Sequence, residues 1–333
     1  VLGYTGKPDS YYNAIINWVK QRYDLIVTKE VINFVPGIVP GIGMAMNCFT
    51  QKGDKVMIQP PVYHPFAWVT TRNERTLVIN PLKWENGMYR MDLDAFREQI
   101  KGCKLFILCN PHNPGGVVWT EAELRAIADI CYDEKVLVFS DEIHADLTLP
   151  PHTHRPFAAV REQARMNSVT FMSPSKAFNM PGLSASHALI FNEDLRKRFR
   201  IYMDAGELDM GHVFAFLSVE AAYSHGTEWL DQCLAYIQGN IDFVDEFLKK
   251  HAPKIKAIRP EASYLVWLDC RELELSQKDL NEFFVDKAHL ALNDGEMFGK
   301  EGIGFMRLNV ASPRCIIEKA MKQLADAYQL YIK

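Results

Sequence analysis

The chain has 333 residues, enough for one large α/β domain or for a large domain with a smaller companion, since single hydrophobic cores stop growing near ~250–300 residues. Apolar residues make up 48% and charged residues 23%, which excludes a disordered chain. With 37 basic against 41 acidic side chains the formal charge is −4, so no overall field favours nucleic acid or an anionic membrane.

The first residues lack a basic region followed by an apolar one, so no secretory signal is expected. Val31 to Phe49 carries no charge, but Pro36, Pro40, Gly37, Gly41 and Gly43 break any continuous helix. A strand, a turn and a buried helix start are expected there instead of a membrane span. Six short runs follow that are apolar on both faces: 55–59, 76–80, 104–109, 136–140, 168–173 and 187–191. They read as central strands of a sheet covered on both sides. Thr120-Glu-Ala-Glu123 is a capping box, followed by Leu124, Ile127, Ala128 and Cys131 at helical spacing. Strand–helix alternation of this kind predicts an α/β fold with a mostly parallel sheet and ligands at the carboxyl ends of its strands.

From about Gly226 the pattern changes. A long helix runs from Trp229 to Lys250, then come strands over 264–269 and 304–310 and helices over 276–287 and near the C-terminus. These predict a smaller C-terminal α+β domain, with residues 1–230 as the large domain and 231–333 as the small one. The long helix is the expected hinge. Seven scattered cysteines contain no Cys-x-x-Cys pair, which argues against disulfide scaffolds and zinc cages and fits a reducing, cytoplasmic setting. Arg196-Lys-Arg-Phe-Arg200 suits the wet face of a helix starting near Glu193 better than a nucleic-acid contact.

Four segments place polar or turn residues directly after a strand. Ser173-Pro-Ser-Lys176 suits a solvated turn, or a Schiff-base lysine with hydroxyls beside it for a phosphate. In Ser140-Asp-Glu-Ile-His144, Asp141 either caps a turn or supplies a permanently ionised carboxylate to a pyridinium nitrogen. Asn110-Pro-His-Asn-Pro-Gly-Gly116 is a rigid turn in any case, and Asn113 offers a donor to a phenolate oxygen. Pro60-Pro-Val-Tyr63 can hold an aromatic face over a planar ring, although Tyr63 alone equally suits packing. A dinucleotide fold is not supported, because Gly37-Ile-Val-Pro-Gly-Ile-Gly43 lacks the G-x-G-x-x-G spacing.

Together, in the order aromatic, Asn, Asp, Lys, these segments resemble the pyridoxal 5′-phosphate enzymes of aminotransferase class I/II, fold type I. Gly3-Tyr-Thr-Gly6, Pro36-Gly-Ile-Val-Pro40, Pro60-Pro-Val-Tyr-His-Pro65 and Arg307-Leu-Asn-Val-Ala-Ser-Pro-Arg314 extend the resemblance over nearly the whole chain. Asp141-Glu-Ile-His-Ala-Asp146 and His154-Arg-Pro-Phe157 favour the branch of cystathionine β-lyases and cysteine-S-conjugate β-lyases. The resemblance implies a mostly parallel seven-stranded sheet, a small C-terminal domain and pyridoxal 5′-phosphate as cofactor. It implies that Lys176 bonds the cofactor aldehyde and moves the α-proton, that Asp141 pairs with the ring nitrogen, and that Asn113 and His144 face the phenolic oxygen. His144 stands where many relatives carry tyrosine, so a structural histidine remains open. Tyr63 would stack on the ring; the amides of Ile38 and Val39, with Ser173 and Ser175, would hold the phosphate, aided by a helix that Gly41 opens. Tyr4 would reach the phosphate of a neighbouring subunit, making a homodimer with a shared active site, and Arg307 would grip the α-carboxylate of an amino-acid substrate.

Two departures are expected to matter. Relatives usually carry a longer segment ahead of Gly3-Tyr-Thr, so the chain reads as a trimmed or partly ordered product. The usual basic phosphate anchor after the lysine is replaced by the uncharged Leu183-Ser-Ala185. The implied activity is carbon–sulfur β-elimination giving pyruvate, ammonia and a thiol, with an aminotransferase as the alternative and a cofactor-binding regulatory protein as a further one.

Overall fold

The computed structural model describes Gly3 and residues 5–331. Its larger sheet is built from β1 (Ile32–Val35), β2 (Lys55–Ile58), β3 (Thr76–Ile79), β6 (Cys103–Cys109), β7 (Leu137–Asp141), β8 (Ser168–Met172) and β9 (Ser186–Leu189), with the hairpin β4 (Lys83–Glu85) and β5 (Met88–Arg90) beside it. The seven strands stand in the order β1-β9-β8-β7-β6-β2-β3. β3, β2, β6, β7 and β8 are parallel; β9 runs against both β8 and β1. β6, β7 and β8 are almost wholly buried, as their Val, Ile, Leu and Phe content requires of strands covered on two faces.

Two expectations need correction. The run at 76–80 is an edge strand with exposed ends rather than a central one: it pairs with β2 alone, although Leu77 and Val78 pack against different core clusters. The uncharged stretch after Val31 does form a strand, a turn and a helix, but the helix is Ile38–Phe49, opening three residues before Gly41. Gly41 has a packing reason instead. A Cβ there would lie 2.9 Å from Val35 Cγ2 and 3.2 Å from Phe171, so only glycine lets this helix approach β1 and β8. Ile38, Ile42, Ala45 and Met46 form its buried face at helical spacing. Each large member contributes roughly 1.5–3 kcal/mol of burial.

The second sheet is antiparallel, in the order β10-β11-β13-β12: β10 (Lys256–Ile258), β11 (Leu265–Asp269), β12 (Asn293–Asp294) and β13 (Phe305–Asn309). The helix expected over 276–287 is an α-helix only for Gln277–Glu282 and continues as a π-helix, Phe283–Lys287. The long helix is Thr227–His251; it packs against the preceding helix, Val213–His225, and against β10 and the C-terminal helix, Arg314–Tyr331. The Thr120 capping box is present. Arg196, Arg198 and Arg200 give donors to backbone carbonyls of Ile190, Phe191, Cys48 and Glu30, so the basic cluster ties helix Glu193–Asp204 to its neighbours. Among the described residues no helix is long and apolar enough to cross a membrane.

Candidate active site

The carboxyl ends of β6, β7 and β8 open toward β13 of the second sheet, and a cavity of about 530 Å³ lies between them. Each parallel strand delivers its last residues to this rim. Asp141 ends β7, Asn113 follows β6, and Lys176 follows β8 on a turn closed by Phe178 N donating to Pro174 O and Met180 N donating to Ser175 O. All three line the cavity, together with Ile38, Val39, Tyr63, His144, Ser175 and Arg307. Residues spread over most of the chain therefore meet in one space.

Asp141 is buried, and the Ile143 amide donates to its Oδ1 at 3.1 Å. Burial raises its carboxyl to a pKa of about 7, and the charge of Glu142 pushes the same way; the Ile143 amide and Lys176 offset part of this. A buried carboxylate in this state gains most from a cation placed before it. His144 is buried with Nδ1 unpartnered, and burial, with the charges of Lys176 and Arg307, lowers its pKa to about 3. It is therefore a neutral ring with a free hydrogen-bonding position. Tyr63 packs edge-on against Phe66, and burial together with the charge of Asp141 raises its phenol.

Arg307 comes from the middle of β13. Its Nη1 donates to Asn113 Oδ1 at 2.9 Å and its Nη2 to Asn293 Oδ1 at 2.8 Å, while Nε is buried without a partner. The guanidinium lies 4.7 Å from the centre of the Phe298 ring. Among the described residues no carboxylate pairs with it, and burial lowers its pKa to about 10. A guanidinium left in this way is a receptor for an anion from outside the chain.

Helix Ile38–Phe49 starts at the cavity with Gly37 as its N-cap, at φ 114°, and no side chain caps its first turn. The amides of Ile38 and Val39 are therefore left free at the positive end of the helix, in a first turn without acidic residues. Ser173 is placed differently from the other expected residues. Its hydroxyl donates to Ala185 O at 2.6 Å and accepts from Ser175 N at 3.1 Å, and it does not line the cavity. Tyr4 lies outside the described residues.

The sequence reading missed His64, Ser184, Ser186, Tyr264 and Asn309, all of which line the cavity. Asn309 was within reach, because alternation along β13 puts it on the same face as Arg307. Ser184 and Ser186 supply hydroxyls in the very segment that lacks a basic anchor. Tyr264 and His64 carried no such signal.

The sequence model of the aminotransferase class I and II family matches residues 3–324. The chain belongs to this family. The cystathionine β-lyase PatB of Bacillus subtilis is 37% identical over 98% of the chain and 85% of the relative. Cystalysin from Treponema denticola, a structure that contains pyridoxal 5′-phosphate, superposes with a TM-score of 0.97 at 35% identity, over 100% of this chain and 85% of the other. The pyridoxal-phosphate-bound C-S lyase from Staphylococcus hominis gives 0.92 at 33% identity, over 98% and 86%.

Proposed function

We propose that the protein is a pyridoxal 5′-phosphate-dependent carbon–sulfur β-lyase acting on cystathionine or a cysteine S-conjugate. The observation that carries this reading is the shared cavity: a lysine amine, a buried carboxylate and an anion-seeking arginine face one space of a size suited to a cofactor and a small substrate. The residues present fit the group. The free amides of Ile38 and Val39, with Ser175 and Ser184, suit its phosphate; Asp141 suits its ring nitrogen; Asn113 and neutral His144 suit its phenolic oxygen; Tyr63 offers an aromatic face. When bound, pyridoxal 5′-phosphate supplies an electron sink for the pair left at the substrate Cα.

The chain's own groups do the rest. Lys176 Nζ would hold the cofactor through its aldehyde and, as a free amine, is the base that takes the α-proton. Asp141, as a carboxylate, keeps the ring nitrogen protonated. Arg307 binds the substrate carboxylate through two donors and so fixes which bond at Cα faces Lys176. With sulfur on Cβ the C–S bond breaks and the thiol leaves, and water then releases pyruvate and ammonia from the three-carbon remainder.

We further propose a cytoplasmic homodimer that completes the site between subunits; Phe214 and Leu217, exposed on helix Val213–His225 three residues apart, suit such a contact. The division into parts is placed near residue 230, inside the helix Thr227–His251. Purified protein given cystathionine or S-methylcysteine forms pyruvate without an added keto acid. Pyruvate only in the presence of a keto-acid acceptor would make the protein an aminotransferase, and cofactor uptake without turnover a binding protein.

A further inference from the structure

His154 lies outside the cavity yet reaches the residue next to Asp141. Glu142 is fully buried. Its Oε1 accepts from Ser140 Oγ and from the Phe157 amide, both at 2.8 Å, and its Oε2 lies 2.8 Å from His154 Nε2. The two side chains are 0% and 1% exposed. His154 is the one basic side chain that pairs with Glu142 among the described residues.

The other charged groups close by have partners of their own or add negative charge. Asp141 ends β7, and Glu142 follows it directly. Asp146, two residues beyond His144, takes hydrogen bonds from Trp18 Nε1 and Tyr23 OH of the helix Asp9–Tyr23. The Tyr23 ring stands edge-on to His154, with centroids 5.4 Å apart. Arg22 turns to Asp231, and Arg155 to Glu121. His154 Nδ1 is buried without a partner. Two carboxylates on consecutive buried residues oppose each other unless one is neutralised.

We propose that His154 is a positioning residue for Asp141: with Glu142 it forms a buried pair of zero net charge, which leaves Asp141 free to carry its negative charge against the cofactor's ring nitrogen. The same contacts tie the turn after β7 to the 154–157 segment and so fix where Asp141 ends. Removing His154 leaves an uncompensated carboxylate behind Asp141, and the anionic form of Asp141 becomes harder to reach. This role rests on the cofactor reading given above.

The test titrates pyridoxal 5′-phosphate into wild-type, His154→Gln, Glu142→Gln and the double variant, follows cofactor absorbance from pH 5.5 to 9, and records melting temperatures alongside. Glutamine at 154 keeps a donor for Glu142 but no charge. In His154→Gln the acid midpoint of cofactor affinity rises by about one pH unit, close to tenfold weaker binding on the acid side. The double variant returns the midpoint to the wild-type value, and Glu142→Gln does not raise it. An unshifted midpoint in His154→Gln, a double variant that stays shifted, or a rise in Glu142→Gln overturns the proposal, whatever the melting temperatures. If wild-type protein takes up no cofactor at any pH, the functional reading falls too; normal uptake with an unshifted midpoint removes only the role of His154.

Discussion

Arg307→Gln separates a binding residue from a structural one by the sign of its effect on stability. The guanidinium is held below the ordinary arginine value, at about 10, by burial. That depression corresponds to about 3 kcal/mol of destabilisation of the charged form, present in full at any pH below about 10 and relieved only above it. Glutamine removes this cost. It also removes the hydrogen bonds to Asn113 and Asn293, about 1 kcal/mol each, and the contact with Phe298, at most about 1 kcal/mol. The sum is close to neutral, so the cofactor-free variant melts within about 3 °C of wild type. Substrate binding loses a bidentate charge-assisted pair, and kcat/KM for S-methylcysteine falls by about a hundredfold to a thousandfold. Thermal melts and pyruvate assays check the two halves. A variant that melts far lower and keeps its kcat/KM refutes the reasoning, because Arg307 would then be holding the two sheets together rather than awaiting a carboxylate.

Lys176→Ala removes the covalent link, so borohydride no longer fixes the cofactor to a lysine peptide and turnover drops by about a thousandfold or more. In the free protein Asp141 is raised from its ordinary value to about 7. The folded state therefore holds a proton that the unfolded chain has lost between about pH 4 and 7, and stability falls as pH rises through that window. Calorimetry of Asp141→Asn shows that slope flattened; an unchanged slope assigns it to other groups. Cofactor affinity runs the opposite way in wild type, tightening as pH rises through about 7. Gly41→Ala drives a methyl against Val35 and Phe171 and costs about 1–3 kcal/mol, seen as a lower melting temperature with Lys176 chemistry retained.

The central strands were legible because burial on two faces leaves a largely apolar run, as in Leu105–Cys109 of β6. That signal fails at an edge, where β3 has the composition of a core strand but a partner on one side only. Strand direction was not legible for β9, whose reversal depends on the chain between Lys176 and Ser186 turning back beside β8. Asp141, Asn113 and Lys176 were found because each follows a readable strand. Ser173 shows the limit of that rule, since an adjacent hydroxyl can be taken by the backbone that shapes the turn. Tyr264 and His64 reach the cavity through tertiary packing, and no local pattern marks them.

The hydrogen bond from Arg307 to Asn113 fixes how a single amide is divided. With its oxygen occupied by the guanidinium, the nitrogen is the end left to greet an electron-rich ring oxygen, so the side that selects the cofactor and the side that greets the substrate share one planar group. An aspartate at 113 would seize the arginine and repel that ring oxygen; an alanine would let both drift. Position 113 thereby acts as a swivel pin between two recognition tasks, and loosening it should blur both at once.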